Sequence, residues 1–412
     1  MVRVHKSLIG GSLILLITFN IYNFINFIFQ FSMARLLNVV DYGILVSLFS
    51  IIYLTGIFSE SIQLLIAKYS SSETDNGKIK NIIKRTIKKS LKISLCIFLL
   101  YLIISIFLSN LLKIPFPLMA ITGTLIFSSF LLPISRGVMQ GKKKFTSLGI
   151  NLIIESSVKL ILSILLVFIG WNIYGPLVGT IIGTALAFLL SFFSIKEIIY
   201  SKESVSQTLQ LKIDAVPMFV VNLCILAFYT IDVLIAKIVF TPEIAGYYAI
   251  ASILSKTVFW GTQPISKAMF PISAETGKKK NVSRQVLINS SLLLALGIIF
   301  ALAISFFFSD FIVHLYSGKI ISQSANILFY LMISTSLISL TNLLLIYKLS
   351  SSKIKNPYLF MPFILIEVIL LSVFSKNLIQ FSFAYIISSS IFLLGSILIS
   401  NKSKLEIFKN PK

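Results

Sequence analysis

The chain has 412 residues, 57% of them hydrophobic and only 12% charged, with a mean hydropathy of +0.96 and a formal net charge of +22. Soluble domains carry about a quarter charged residues. Half that share leaves too few charges to cover a water-facing surface, which excludes a soluble enzyme.

Apolar runs close to the ~20 residues that a bilayer core requires recur from end to end. Twelve spans are predicted: Leu8–Ser32, Tyr42–Ala67, Ile93–Leu112, Leu118–Ser135, Thr146–Gly170, Leu177–Ile195, Ile213–Lys237, Gly246–Phe270, Val286–Ser309, Ser324–Tyr347, Pro357–Phe374 and Phe381–Ser400. The first follows MVRVHK, but it is too long for a signal-peptide core and further spans follow, so it reads as a membrane span. It carries Asn20, Asn23, Asn26 and Gln30. Steps of three and four put these amides broadly on one face. That face either bonds to neighbouring helices or lines a wet cavity, and neutral amides suit sugar hydroxyls.

The loop after the second span is rich in lysine. Ile79, Ile82, Ile83, Ile87 and Leu91 recur there at helical spacing, with Lys80, Lys84, Arg85, Lys88 and Lys92 on other faces. The pattern predicts an amphipathic helix lying on an anionic inner leaflet. In the sixth span, Gly175, Gly179, Gly183 and Ala187 are spaced by four, a ridge of small residues for close helix packing. Pro133, Pro217, Pro264 and Pro362 fall within or near spans and free backbone carbonyls there, as bending helices require.

Glu60, Glu155, Lys159, Asp232, Lys256 and Glu367 lie inside predicted spans. A charge at a helix centre costs about 3 kcal/mol on insertion scales, so these residues are expected to face the bundle interior or water. Glu155 and Lys159 are four apart in the favourable order and offer a local pair. Lys256 and Glu367 have no such local partner. The carboxylates are the candidates for a proton or sodium step: Glu367 first, then Glu155, Glu60 and Asp232.

With the first loop placed outside, 29 of the 36 Lys and Arg residues fall on the inner side, counting Lys267 at the inner end of the eighth span. Four (Arg35, Lys113, Lys319, Lys376) fall outside, and Lys159, Lys237 and Lys256 lie deeper within spans or at their outer ends. This is the positive-inside pattern, with both termini cytoplasmic, and it accounts for the basic balance without nucleic acid. Cys96, Cys224, His5 and His314 have no ligand-spaced partners, so no metal site and no cofactor are expected.

The stretch Ala34-Arg35-Leu36-Leu37-Asn38-Val39-Val40-Asp41-Tyr42-Gly43 closes one span and opens the next. Ala236-Lys237, followed by Thr241-Pro242-Glu243-Ile244-Ala245-Gly246-Tyr247, does the same about half a chain later. A repeat of that length predicts an all-α bundle of about 12 helices in two pseudo-symmetric six-helix lobes, 1–200 and 201–412, with a site between them.

The Ala34–Gly43 stretch resembles the polysaccharide transporter family, which contains O-antigen and other lipid-linked oligosaccharide flippases. That family belongs to the multidrug/oligosaccharidyl-lipid/polysaccharide flippase superfamily. Arg136-Gly137-Val138-Met139-Gln140-Gly141 resembles its loop between spans four and five. Pro217 through Asp232 to Ala236 resembles the start of its second lobe, Thr241–Tyr248 its S-P-E-x-x-G-x-Y turn, and Phe270-Pro271 its close of span eight. Between the last two spans, Ser375–Phe381 stands where the family has a Gly-rich pattern. The resemblance implies two bundles around a central cavity. It also implies a polyprenyl (di)phosphate-linked glycan as cargo, moved from the inner to the outer leaflet of the cell membrane beside polysaccharide-assembly proteins. An anionic headgroup needs cations, and Arg35, Lys159, Lys237 and Lys256 are the available ones, with Asn23 and Asn26 for the sugar. A cation-coupled multidrug exporter is the alternative within the superfamily, although its span-one carboxylate is replaced here by amides. A membrane-embedded glycosyltransferase or polymerase is a third reading, and the short outer loops argue against it.

Overall fold

The computed structural model describes residues 2–205, 216–276, 280–350, 354 and 356–409. Residues 206–215, in the loop expected between spans six and seven and at the start of span seven, lie outside the described residues, as do the side chains of Phe270 and Pro271. The described structure is helical, and each of the twelve predicted spans falls on a helix. In chain order these are α1 (Val2–Leu36), α2 (Val39–Ser72), α3 (Asn76–Leu112), α4 (Phe116–Gly123), α5 (Leu125–Gly141), α6 (Phe145–Leu166) and α7 (Tyr174–Ser194). They continue with α8 (Lys196–Ile199), α9 (Val216–Val239), α10 (Pro242–Thr276), α11 (Lys280–Ser317), α12 (Ser322–Ser350), α13 (Met361–Val373) and α14 (Leu378–Lys409). The fourth predicted span is built from α4 and α5, which meet at Thr124. Nine helices among the described residues are long and apolar enough to cross a membrane, with Pro357–Val373 a shorter apolar one. The protein is a multi-pass membrane protein.

Turn chemistry explains the helix ends. Asn38 accepts the Asp41 backbone N–H at 2.8 Å and donates its own amide to the Asp41 carboxylate at 2.8 Å, which caps α2. Asp75 caps α3 by accepting from Gly77 N at 2.7 Å. Lys113 ends α3 in the left-handed region at φ 54°, and Pro115 prevents the helix from continuing.

The chain divides into two compact units: Met1–Asp41 with Ile51–Lys212, and Tyr42–Ser50 with Ile213–Lys412. In the first unit the small-residue ridge of α7 lies on α6. A Cβ at Gly179 would sit 2.9 Å from the Ser163 backbone N, and one at Gly183 would sit 2.9 Å from the Glu155 carbonyl oxygen. Only glycine lets these two helices approach so closely. Gly137 and Gly141 of α5 do the same against α2, where an added Cβ would run into Gln63 O and Ala67 O.

One expectation is corrected here. The basic segment with the periodic isoleucines is not a separate helix on the membrane surface. It is the first part of α3, continuous over 37 residues with the third span. Ile79, Ile82 and Ile83 are buried against Ile66, Ile134, Val138, Ile195 and Ile198. The apolar face thus seeks protein rather than lipid, while Lys84 and Lys88 stay exposed. Farther along α3, Leu99, Ile103 and Phe107 are exposed, as a lipid-facing stripe should be.

In the second unit α10 packs along α12, with Thr335 Oγ1 donating to Ser255 O at 3.0 Å. Phe228 of α9 stacks on Phe392 of α14, with ring centroids 4.2 Å apart. A lipid-facing stripe recurs on α11 at Leu296, Phe300 and Phe307.

Candidate functional site

Each unit holds a buried polar constellation among its apolar helices. Burial of such groups is costly unless they are satisfied, so their partners define what they can do.

In the second unit the centre is Asp232 on α9, which is fully buried. Tyr248, Ser252 and Lys256 follow one another at steps of four along one face of α10, and all three donate to its carboxylate. Lys256 Nζ reaches Oδ1 at 2.9 Å, while Ser252 Oγ and the Tyr248 hydroxyl reach Oδ2 at 2.8 and 3.0 Å. The Lys256 ammonium also lies 4.8 Å from the centroid of the Tyr229 ring. Glu367 of α13 is fully buried within electrostatic range of both Asp232 and Lys256. Among the described residues neither of its oxygens has a hydrogen-bond partner. Tyr385 of α14 closes the cluster and donates to Phe228 O at 2.8 Å.

Lys256 is therefore not the partnerless ammonium that its own helix suggested. Its acid comes from α9, 24 positions earlier, a separation that no helical spacing reveals. One lysine and one aspartate compensate each other, and Glu367 is the carboxyl whose burial is least compensated.

In the first unit Arg136 of α5 is buried. Its Nη2 lies 2.5 Å from Glu155 Oε2 and its Nε donates to Asn151 Oδ1 at 2.8 Å. Asn151 Nδ2 in turn donates to Ala187 O at 2.7 Å. Lys159 Nζ donates to Asn26 Oδ1 at 3.0 Å and sits 4.0 Å above the Phe29 ring. Asn26 passes its own amide N–H to Tyr22 O at 2.9 Å. The acid that the sequence offers to Lys159 is thus held by Arg136, and Lys159 is drawn to the amide face of α1. Asn23, on that helix, is half-buried.

Sequence reasoning missed Arg136, which it counted among the cations of an inner loop. The helix runs on to Gly141, and the Gly137-x3-Gly141 spacing that locks it against α2 was the available signal. The remaining candidates are dispersed. Arg35 is exposed, with its guanidinium 4.6 Å above the Phe31 ring. Lys237 is buried, so the two do not share an environment although the repeat places them alike. Glu60 is exposed.

Residues 32–320 match the model of a family described as polysaccharide biosynthesis protein, more than two thirds of the chain. The chain belongs to that family. No curated protein matches the sequence. Among solved structures, an inward-facing multidrug resistance MATE family transporter of the MOP superfamily has a TM-score of 0.78 at 10% identity, covering 93% of this chain and 96% of that one. The lipid II flippase MurJ in an inward closed conformation has a TM-score of 0.71 at 16% identity, covering 96% and 92%. An outward-facing MATE family transporter has a TM-score of 0.64 at 10% identity, covering 98% and 97%. At these identities the likeness is one of fold, and the fold is that of MOP-superfamily transporters over essentially the whole chain.

Proposed function

We propose that this member of the polysaccharide biosynthesis family is a flippase for a polyprenyl (di)phosphate-linked oligosaccharide, moving it from the inner to the outer leaflet of the cell membrane. The observation that carries the reading is the conjunction of a polysaccharide biosynthesis family match with a transporter fold. The MATE likenesses by themselves favour drug export, but at 10% identity they speak for fold alone.

The site geometry supports a division of labour. In the first unit, Lys159 with Asn23 and Asn26 offers a cation and amides at membrane depth, suited to a phosphate and the first sugar. Arg35 and Lys237 are the further cations, and arginine grips phosphate with two parallel hydrogen bonds where lysine acts as a point charge. In the second unit Glu367, beside the Asp232–Lys256 pair, is the group we assign to the coupling step. Lys256 acts through Asp232 rather than on the cargo. Glu155 is committed to Arg136, and Glu60 is exposed, so both stand behind Glu367 as coupling groups. Membrane lipids surround the bundle, and polysaccharide-assembly proteins are the expected partners.

The test is reconstitution into proteoliposomes with a fluorescent polyprenyl diphosphate-linked oligosaccharide in both leaflets. Access of an impermeant reductant to the probe should rise with the protein and fall strongly in Lys159→Ala. Equal access with and without the protein would remove the reading.

A further inference from the structure

The lysine-poor ends of the helices, outer on the reading above, carry a cleft in each unit. In the first unit a cavity of about 560 Å³ lies where the α1–α2 turn, α4 and the α6–α7 loop meet. Asp41, Trp171, Asn172 and Tyr174 line it, with Ile121 and Val178 as apolar walls. In the second unit a cavity of about 270 Å³ lies at the corresponding ends, the α9–α10 turn, the start of α12 and the α13–α14 loop. Its lining is different: Gln323, Asn326, Lys376 and Asn377 among apolar residues. The repeat accounts for a notch at this junction in both halves. It does not account for the aromatic and carboxylate lining of the first.

We propose that the first cleft is a glycan-binding subsite, taking the sugar portion of the lipid-linked cargo at the lysine-poor face. This deepens the flippase reading and rests on it. Sugar rings present apolar C–H faces that stack on aromatic rings, while their hydroxyls need directional donors and acceptors. Trp171 and Tyr174 remain partly exposed and offer the rings. Asn172 offers both a donor and an acceptor. Asp41 keeps Oδ2 on Asn38 at 2.8 Å, which leaves Oδ1 for a hydroxyl. The cavity falls within the roughly 300–1,000 Å³ of ligand sites.

The backbone is shaped for this. Trp171 ends a π-helical turn, Val167–Trp171, in which Gly170 has φ 96°. Asn172 then takes φ 40°, ψ −128°, a conformation that residues with a Cβ rarely adopt. A Cβ at Gly170 would meet nothing within 4 Å, so crowding does not explain the glycine. Its φ does. An aromatic serving only as an interfacial anchor needs no such turn and no carboxylate brought to it from another segment.

The chain has two tryptophans, Trp171 and Trp260, so the protein labelled with 5-fluorotryptophan gives two fluorine resonances, assigned with Trp171→Phe. The full-length protein in nanodiscs is titrated with the oligosaccharide released by mild acid from the lipid-linked pool of its own host cells. The Trp171 line should shift saturably while the Trp260 line stays fixed. Asn172→Gly suits the backbone but removes the amide, and it should weaken the titration about tenfold, the worth of one good hydrogen bond. A Trp171 line that does not move, in protein that flips the lipid-linked form, overturns the subsite and spares the flippase reading. A Trp171 line that moves in protein that flips nothing supports the subsite and counts against that reading. A line broadened by lipid-borne spin label and indifferent to sugar makes Trp171 an interfacial anchor and overturns the subsite.

Discussion

Lys256 and Asp232 meet at 2.9 Å across α10 and α9, and Arg136 and Glu155 meet at 2.5 Å across α5 and α6. Breaking a buried pair leaves an uncompensated charge, at a typical cost of about 3–5 kcal/mol, whereas neutralising both partners is often tolerated. Lys256→Met alone should therefore lower the yield of folded protein, and Lys256→Met with Asp232→Asn should recover it. Size-exclusion profiles and thermal stability in detergent read this directly. Recovery of fold without recovery of flipping would assign the pair to coupling. A single variant as stable as the parent would contradict the pairing.

Among the elements, the spans were legible because hydropathy and length fix them, and the glycine ridge of α7 was legible because a step of four marks one helix face. The role of the basic segment in α3 was not. Amphipathic periodicity says that one face seeks an apolar surface, but it does not say whether that surface is lipid or protein. Here α5 and the short α8 supply it, and Ile79, Ile82 and Ile83 are buried there. Ile82→Ala should destabilise the protein by roughly 2–4 kcal/mol, as core truncations do. Lys88→Ala and Lys89→Ala, at exposed positions, should change stability by less than about 0.5 kcal/mol. A lipid-surface helix would give the reverse order, with membrane retention hanging on the lysines.

The α3 N-terminus is also tied to the segment after α8. Ser204 donates to Asp75 at 2.7 Å, and Glu203 accepts from Asn81 and Lys84 at 2.7 and 3.0 Å. The Ser204 hydroxyl and the Gly77 N–H hold the Asp75 carboxyl below its ordinary range, and the Lys84 and Asn81 contacts do the same for Glu203. Groups with depressed folded-state values contribute fully above their unfolded values and lose that contribution as pH falls through the folded ones. The protection of the amides of residues 77–84 against hydrogen exchange, taken relative to the intrinsic rate at each pH, should therefore be flat between pH 6 and 8 and should fall only in acid. A loss of protection across neutral pH would contradict this tie.

For the whole molecule, the charge asymmetry predicts orientation. Cysteines are introduced singly at exposed positions, Ser71→Cys on the lysine-rich side and Ile320→Cys on the other, in a chain lacking Cys96 and Cys224. Impermeant thiol reagent added to intact cells should label position 320 and spare position 71, and the opposite pattern would invert the topology. The all-helical class and the family were legible from composition, spacing and short motifs in order. The cargo was not, because a substrate is read from a site, and the residues of each buried constellation are scattered along more than a hundred positions of sequence. The central claim is that this chain moves a lipid-linked glycan between leaflets, and it is tested most directly in cells depleted of the protein. Leaflet-resolved labelling of the lipid-linked precursor should show it accumulating on the inner face, with export restored by the wild-type chain and not by Glu367→Gln. Normal appearance of the precursor on the outer face during depletion would contradict the account.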